Sequence, residues 1–322
     1  MANILIVHAH HEPKSFTSAL ARSAAETLTE QGHKVDFSDL YAMKFDPVSD
    51  RRNFTTVRNP HFFKQQQEEL HAAEHFGFTQ EIEAEMQKLE RCDLLVFSFP
   101  LWWFGLPAIL KGWVDRVFAF GRIYGRGRWY DRGLGEGKRA MVLMTTGGAK
   151  STYDRKGLHP ELETILTPIH HGIFWFNGFS PLQPFVAWAA AHGSDADRRL
   201  ILDQWRNRLK KGLFQEQTIQ LPRLADFDED TFRDQVPRYM VILTRGRSAD
   251  DGPESLVYVT ADQLDRLHED GVLLRYDFTK LSLPNWRGFL VFREKSESVV
   301  LAICAKLFPR PNFSLEIVPL AT

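Results

Sequence analysis

The chain is short of the residues that build metal centres and stapled scaffolds, since its only cysteines, Cys92 and Cys304, lie far apart in sequence. Two cysteines so placed make no thiolate metal site, and free thiols in a reducing compartment are expected. An excess of one charge is also missing. Lys and Arg number 40 against 41 Asp and Glu, so no global field draws in nucleic acid or an anionic membrane. No apolar run reaches bilayer length, the N-terminus has no basic region, and the run Ile4 to Val7 stops at His8. Neither a signal peptide nor a membrane span is read, and a soluble cytoplasmic protein is expected. The G-x-G-x-x-G and G-x-x-x-x-G-K-[ST] patterns do not occur near the first strand, which removes the dinucleotide and P-loop fingerprints there.

What is present is apolar and aromatic. At 322 residues and 43% hydrophobic content the chain is long for a single core, and two domains are expected. The organising stretch is Pro100 to Phe118, preceded by the apolar run Asp93 to Phe99. It reads as strand, aromatic loop and helix, with Pro107 suited to a first helical turn. Such a loop lies at the carboxyl end of a strand, where open α/β sheets bind ligands, and Trp102, Trp103 and Phe104 offer flat apolar faces. A planar ligand and a plain aromatic core are both open from this stretch alone.

Along the chain, Asn3 to Val7 reads as a strand and Ser15 or Thr17 as the cap of a helix running to Gln31, with Gly32 as its stop. The amides at that helix start suit a phosphate. His8, His10 and His11 invite a metal, but no carboxylate or cysteine stands at ligand spacing to complete a site. Lys34 to Leu40 is a second strand, residues 41 to 78 form an irregular excursion, and Gln80 to Arg91 is a helix with Ile82, Met86 and Leu89 on one face. In Gly121 to Asp131 glycine alternates with arginine, a loop over the site or a solvated turn. Arg139 to Met144 is a strand delivering Thr145-Thr146-Gly147-Gly148, where two glycines let a ring approach the backbone. Leu162 to Gly172 is a helical pattern broken by Pro168, Phe174 to Phe179 is too aromatic for water, and Leu200 to Leu213 is a final helix. Five strand candidates separated by helices imply a doubly wound parallel sheet.

The segment Pro100 to Trp113, with Thr145 to Gly148 and Tyr153-Asp154-Arg155-Lys156-Gly157-Leu158-His159 behind it, resembles the NAD(P)H:quinone oxidoreductase family over about residues 3 to 215. The resemblance implies a flavodoxin-like α/β fold with strand order 2-1-3-4-5 and FAD at the switch point, and the aromatic segments Trp102 to Phe104, Tyr124 to Tyr130 and Phe174 to Phe179, more than one planar ring needs, predict a homodimer. It implies ping-pong hydride transfer from NAD(P)H through flavin N5 to a quinone. By the same resemblance His10, Ser15, Phe16 and Thr17 hold the pyrophosphate and ribityl chain, with Thr17 departing from an expected asparagine. Pro100, Leu101, Trp102, Trp103, Phe104, Thr145, Thr146, Gly147 and Gly148 hold the flavin ring, and Asp115 and Arg198 contact the cofactor beyond it. Trp103, Phe104, Tyr124, Gly147, Gly148, Phe176 and His192 line the substrate side. Tyr153 and His159 match the residues that stabilise charge on the reduced flavin. Arg126 and Arg128 match no family position. An FMN-dependent azo- or nitroreductase and a regulatory, redox-sensing or transporter-associated binding protein are the competing readings.

From residue 216 the composition changes, with Pro222, the acidic cluster Asp226 to Asp230 and Pro237 marking a linker over 216–237. Residues 238–322 then alternate strands (Arg238 to Leu243, Gly288 to Phe292, Phe313 to Val318) with helices (Ala261 to Asp270, Ser296 to Leu307), an α+β ferredoxin-like pattern. This part is weakly similar to small YciI-like domains, whose first-helix histidine matches His268. Their late aspartate is replaced by the surroundings of Lys306-Leu307-Phe308, which favours a dimerisation or lid module over an independent catalyst.

Overall fold

The structure is a computed structural model and describes residues 1–228, 232, 238–245, 267, 273–279, 287–293, 296–307 and 313–320. The chain divides into two compact units, Met1–Thr218 and Ile219–Thr322.

In the first unit, strands β1 (Asn3–His8), β2 (Lys34–Asp39), β3 (Leu94–Pro100) and β4 (Arg139–Thr145) pair in parallel in the order β2-β1-β3-β4. The fifth position is shared by two short pieces, β5 (Ser180–Pro181) and β6 (Phe185–Ala187), both parallel to β4. Gln183 and Pro184 fall between them, and a proline offers no amide to a ladder, so a long fifth strand does not form. The expected 2-1-3-4-5 order holds.

Alternate residues of the strands feed two cores. Leu5, Val7, Leu95, Phe97, Val142 and Met144 pack against α3 (Gln80–Arg91), α4 (Ala108–Val117) and α5 (Leu162–Ile169). Ile4, Ile6, Leu94, Val96, Met141 and Leu143 pack against α1 (Phe16–Glu30) and α6 (Asp195–Lys211). Every residue of β3 is buried, as a strand covered on both faces requires.

Ser15 caps α1, accepting from the Ser18 amide at 3.1 Å, and Gly32 follows its end at φ 84°. The excursion after β2 contains α2 (Gln65–His75), whose polar sequence gives little periodic signal. Pro107 lies one position before α4 rather than inside it. Helix α6 begins at Asp195 instead of Leu200, because Ser194 and Asp197 close a reciprocal capping box. After Pro168 removes one amide from the ladder, α5 widens into a single π turn, His170–Phe174. Phe174 and Phe179 are fully buried there, as their aromatic character demands.

In the second unit, β7 (Arg238–Arg245), β8 (Leu273–Thr279), β9 (Arg287–Arg293) and β10 (Phe313–Leu320) form an antiparallel sheet in the order β10-β7-β9-β8, with α7 (Glu297–Leu307) between β9 and β10. That pairing is the one a split β-α-β arrangement produces. Among the described residues, Val241, Leu273, Leu290, Phe292, Val300 and Cys304 form its buried cluster. Strand β8 was not among the sequence expectations. The expected helix Ala261 to Asp270 and His268 lie outside the described residues, apart from Leu267. Among the described residues no helix is long and apolar enough to cross a membrane.

Candidate active site

Strands β1, β3 and β4 are neighbours and end at one edge of the sheet. The order in which strands are added reverses between β1 and β3, so the loops leaving these parallel strands bound the crevice where open α/β sheets take ligands. Hydrogen bonds knit the edge, from the Ala9 amide to the Ser98 carbonyl at 2.9 Å and from the Leu101 amide to the Thr145 carbonyl at 2.9 Å.

The loop after β3 is held in an unusual backbone. Trp103 and Phe104 sit at φ 52° and 55°, a left-handed conformation costing non-glycine residues about 1–2 kcal/mol each. Trp103 is 98% exposed and Phe104 45%. Large apolar rings in a costly conformation that leaves them outside the core are explained by a ligand or partner that covers them. Trp102 lies 6.1 Å from the His10 ring and 5.7 Å from His11, while Phe104 lies 5.2 Å from His159 and 6.4 Å from Tyr153, centre to centre. The aromatic loop therefore bridges the loop after β1 and the loop after β4.

The turn after β4 is fixed by a segment that sequence reasoning missed. Thr146 donates its amide to the Ala187 carbonyl, Ala189 to Gly148 and Ala190 to Thr146, at 3.0, 2.9 and 3.0 Å. This clamp leaves the Gly147 side open: a Cβ there would meet nothing within 4 Å. At Gly148 a Cβ would press on Tyr153, 2.9 Å from Cε2 and 3.3 Å from the hydroxyl. Tyr153 is buried between His159 and Trp188, at 4.8 and 5.4 Å, and the His159 amide donates to the Thr152 carbonyl at 2.8 Å. Thr17 and Thr145 spend their hydroxyls on each other at 2.8 Å, so the start of α1 is tied to the end of β4. Arg198 reaches the same neighbourhood by donating to the Ala190 carbonyl at 3.3 Å while pairing with Asp195 at 2.9 Å. The His192 amide closes a turn on Ala189 at 2.9 Å. His10 accepts the Glu12 amide at Nδ1, and burial followed by the neighbouring His11 lowers its pKa.

Asp115, Tyr124 and Phe176 are not at this edge. They line a pocket of about 200 Å³ with Gln65, Glu69 and Asn177, and no residue of the strand-end loops borders it. The Tyr124 hydroxyl accepts from Gln66 at 3.2 Å, and burial raises its pKa. Glu69 is raised by burial too, although it accepts the Phe120 amide at 2.8 Å. The Asp115 carboxylate pairs with Lys111 at 2.6 Å, and the Asn177 side-chain oxygen is buried without a partner. The π turn forms one wall, a distortion that often marks functional sites. Arg126, at φ 57° between two left-handed glycines, pairs with Glu74, and Arg128 donates to the Gly121 carbonyl at 2.7 Å.

Comparison with known proteins decides the family. The family model described as a flavodoxin-like fold matches residues 2–212. NAD(P)H dehydrogenase [quinone] 1 of Cavia porcellus is 42% identical over 207 residues, 64% of this chain and 75% of that protein. The chain is a flavodoxin-like quinone oxidoreductase family member. The Mus musculus ribosyldihydronicotinamide dehydrogenase [quinone] is 39% identical over 217 residues, 67% of this chain and 94% of that one. A solved Klebsiella pneumoniae structure, a candidate quinone reductase by its own description, superposes with TM-score 0.69 at 33% identity, spanning 73% of this chain and 95% of that one. The family model's match, residues 2–212, lies within the first unit.

Membership makes sense of the edge. A tricyclic flavin needs a flat apolar wall, hydrogen-bond donors along one polar rim and an anion-tolerant helix start. Trp102 to Phe104, the open Gly147 turn and the amides of Phe16 and Thr17 offer these three. The donor set fits.

Proposed function

We propose that the chain is a cytoplasmic, homodimeric, FAD-dependent reductase that transfers two electrons from NAD(P)H to quinones. The observation that carries this reading is the exposed Trp102 to Phe104 loop at the switch point, beside the open glycine turn Gly147-Gly148 of the neighbouring strand, in a chain of this family. Bound FAD would supply the redox chemistry, taking hydride from a dihydronicotinamide and passing it to a quinone that enters once the nicotinamide has left.

The protein's work is position and charge. His10, Ser15, Phe16 and Thr17 would hold the phosphate and ribityl end, and Pro100 to Phe104 with Thr145 to Gly148 the ring. The Tyr153 hydroxyl, packed beside Gly148, and the His159 ring keep protons near the polar rim, where negative charge develops. Their rigidity matters, because donors already in place need no reorganisation during the reaction.

FAD is favoured over FMN because Arg198 and Asp115 match contacts beyond the ring, which FMN has no adenosine to use. A homodimer is favoured because the candidate residues fall into two sets. One lies at the strand edge and the other, with Asp115, Tyr124 and Phe176, in a pocket that the edge does not border. A twofold partner would lay the second set of one copy over the exposed aromatics of the other. Relatives named for NAD(P)H and for ribosyldihydronicotinamide share the dihydronicotinamide itself, which supports that ring as the donor recognised here.

The test is to identify the flavin released from purified protein by mass and to follow NAD(P)H oxidation with and without a quinone. FAD with quinone-dependent oxidation is expected. FMN alone with preference for an azo or nitro acceptor would replace this reading, and flavin without turnover would point to a redox-sensing binding protein.

A further inference from the structure

His8, at the carboxyl end of β1, is buried in the first unit and takes no part in the site as described. It stands opposite Ser98 across the switch point. Its Nδ1 lies 3.1 Å from Ser98 Oγ and its Nε2 2.9 Å from Ser18 Oγ. Ser18 Oγ is 3.1 Å from the Glu12 carbonyl and 2.9 Å from Oγ of Ser15, the cap of α1. One imidazole thus joins β1, β3 and the first turn of α1.

Proton counting gives this network a direction. A carbonyl oxygen only accepts, so the single Ser18 hydroxyl proton goes to Glu12. Ser18 must then accept from His8 Nε2–H and from the Ser15 hydroxyl, and His8 Nδ1 accepts from Ser98. Each donor is used once and the ring is neutral. Burial agrees, pushing the His8 imidazole down to about 4. The Glu12 carbonyl also receives the Ser15 amide at 3.1 Å, so the turn from Glu12 to Ser18 hangs on the histidine. Within that turn, the amides of Phe16 and Thr17 open the helix without intrahelical acceptors.

We propose that His8 is a positioning residue for the phosphate-bearing part of the cofactor, holding Ser18, Ser15 and the Glu12 carbonyl so that the Phe16 and Thr17 amides and the Ser15 hydroxyl meet the anion in one arrangement. The proposal rests on the reading of the loop after β1 as the phosphate end of a flavin nucleotide. The network suits that task. When the Ser15 hydroxyl turns outward to an anion, Ser18 loses an incoming bond but no buried proton is left unpaired, so the exchange is inexpensive. Sequence reasoning passed over His8 because it weighed this histidine only as a metal ligand, whereas both its ring nitrogens are engaged by serines.

The experiment titrates flavin-free protein with riboflavin, FMN and FAD and follows quenching of flavin fluorescence. Wild-type protein is expected to hold FMN and FAD more tightly than riboflavin; equal affinities for all three would overturn the phosphate reading itself, and His8's role with it. Ser18→Ala and His8→Leu are expected to lose about tenfold in affinity for FMN and FAD, as removal of support for a charge-assisted hydrogen bond implies, with riboflavin affinity within about twofold. His8→Gln, which keeps a donor toward Ser18, should recover part of the loss. Equal losses for all three ligands would make His8 merely structural, and unchanged FAD affinity in Ser18→Ala would sink the proposal even if His8→Leu fails to fold.

Discussion

The strand edge and the pocket beside the π turn handle the same kinds of residue in opposite ways. At the edge, Trp103 stands almost wholly in solvent on a strained backbone, and polar groups of the Thr145 to Gly148 turn are held by a neighbouring segment. In the pocket, Tyr124 and Phe176 meet edge to face at 5.7 Å, and Glu69 and Gln65 bond each other at 2.8 Å. The edge carries exposed rings that no described residue covers, whereas the pocket, itself partly open, engages its aromatic and polar side chains with one another. In the proposed dimer each copy would give the half that the other lacks.

The sharpest way to test the edge is at Tyr153 and His159. Tyr153→Phe and His159→Gln are expected to slow flavin reduction by NAD(P)H by on the order of 10²-fold, the usual cost of one preorganised donor, while flavin binding is kept. Stopped-flow spectroscopy reads both. Wild-type rates in both variants would make the pair structural.

Acid should weaken both halves through one buried histidine each. His8 under the edge and His170 in the π turn are pushed down to about 4 by burial. Near pH 7 both are neutral folded or unfolded. As pH falls from about 6.5 towards 4, the unfolded chain takes up protons that the folded one refuses. Each histidine then removes up to about 3 kcal/mol of stability. Denaturant unfolding between pH 7 and 4.5 measures the slope, and His170→Asn should flatten it more than a surface histidine such as His61→Asn. Identical slopes would contradict the assignment.

Complementation sharpens the comparison further. An edge variant, His159→Gln, mixed with a pocket variant, Tyr124→Ala with Phe176→Ala, should regain activity that neither has alone. In each mixed dimer one of two sites is whole, so statistical exchange returns about a quarter of wild-type activity. No recovery in verified heterodimers would place both halves of each site in one chain. The smallest effect belongs to the second unit. Truncation after Thr218, where the compact units divide, should leave flavin content and NAD(P)H oxidation near wild type, and loss of flavin from a folded truncation would refute its separability.

Much of this was legible from residues alone. Strands β1, β3 and β4 declare themselves by continuous apolar runs, Gly32 ends α1 as read, and the separated motifs from Pro100 to His159 give the family. What stayed hidden has physical reasons. Polar α2 lacks an apolar stripe, and β5 and β6 are too short to show a period. The Ala187 to Ala190 clamp works through backbone groups, which every residue carries. The sorting of Asp115, Tyr124 and Phe176 away from the other candidates is a matter of distance in space, and sequence order holds no record of it.

The left-handed pair Trp103-Phe104 bears on how this chain should respond to directed evolution. Selection for heat resistance alone, in medium where flavin is scarce, has an easy route: glycine at either position relieves conformational strain on the order of 1 kcal/mol and removes an exposed ring. Selection for turnover has the reverse interest. The loop is therefore a place where the two pressures diverge, and a library sorted first for stability would erode the aromatic wall before it touched the buried strands beneath.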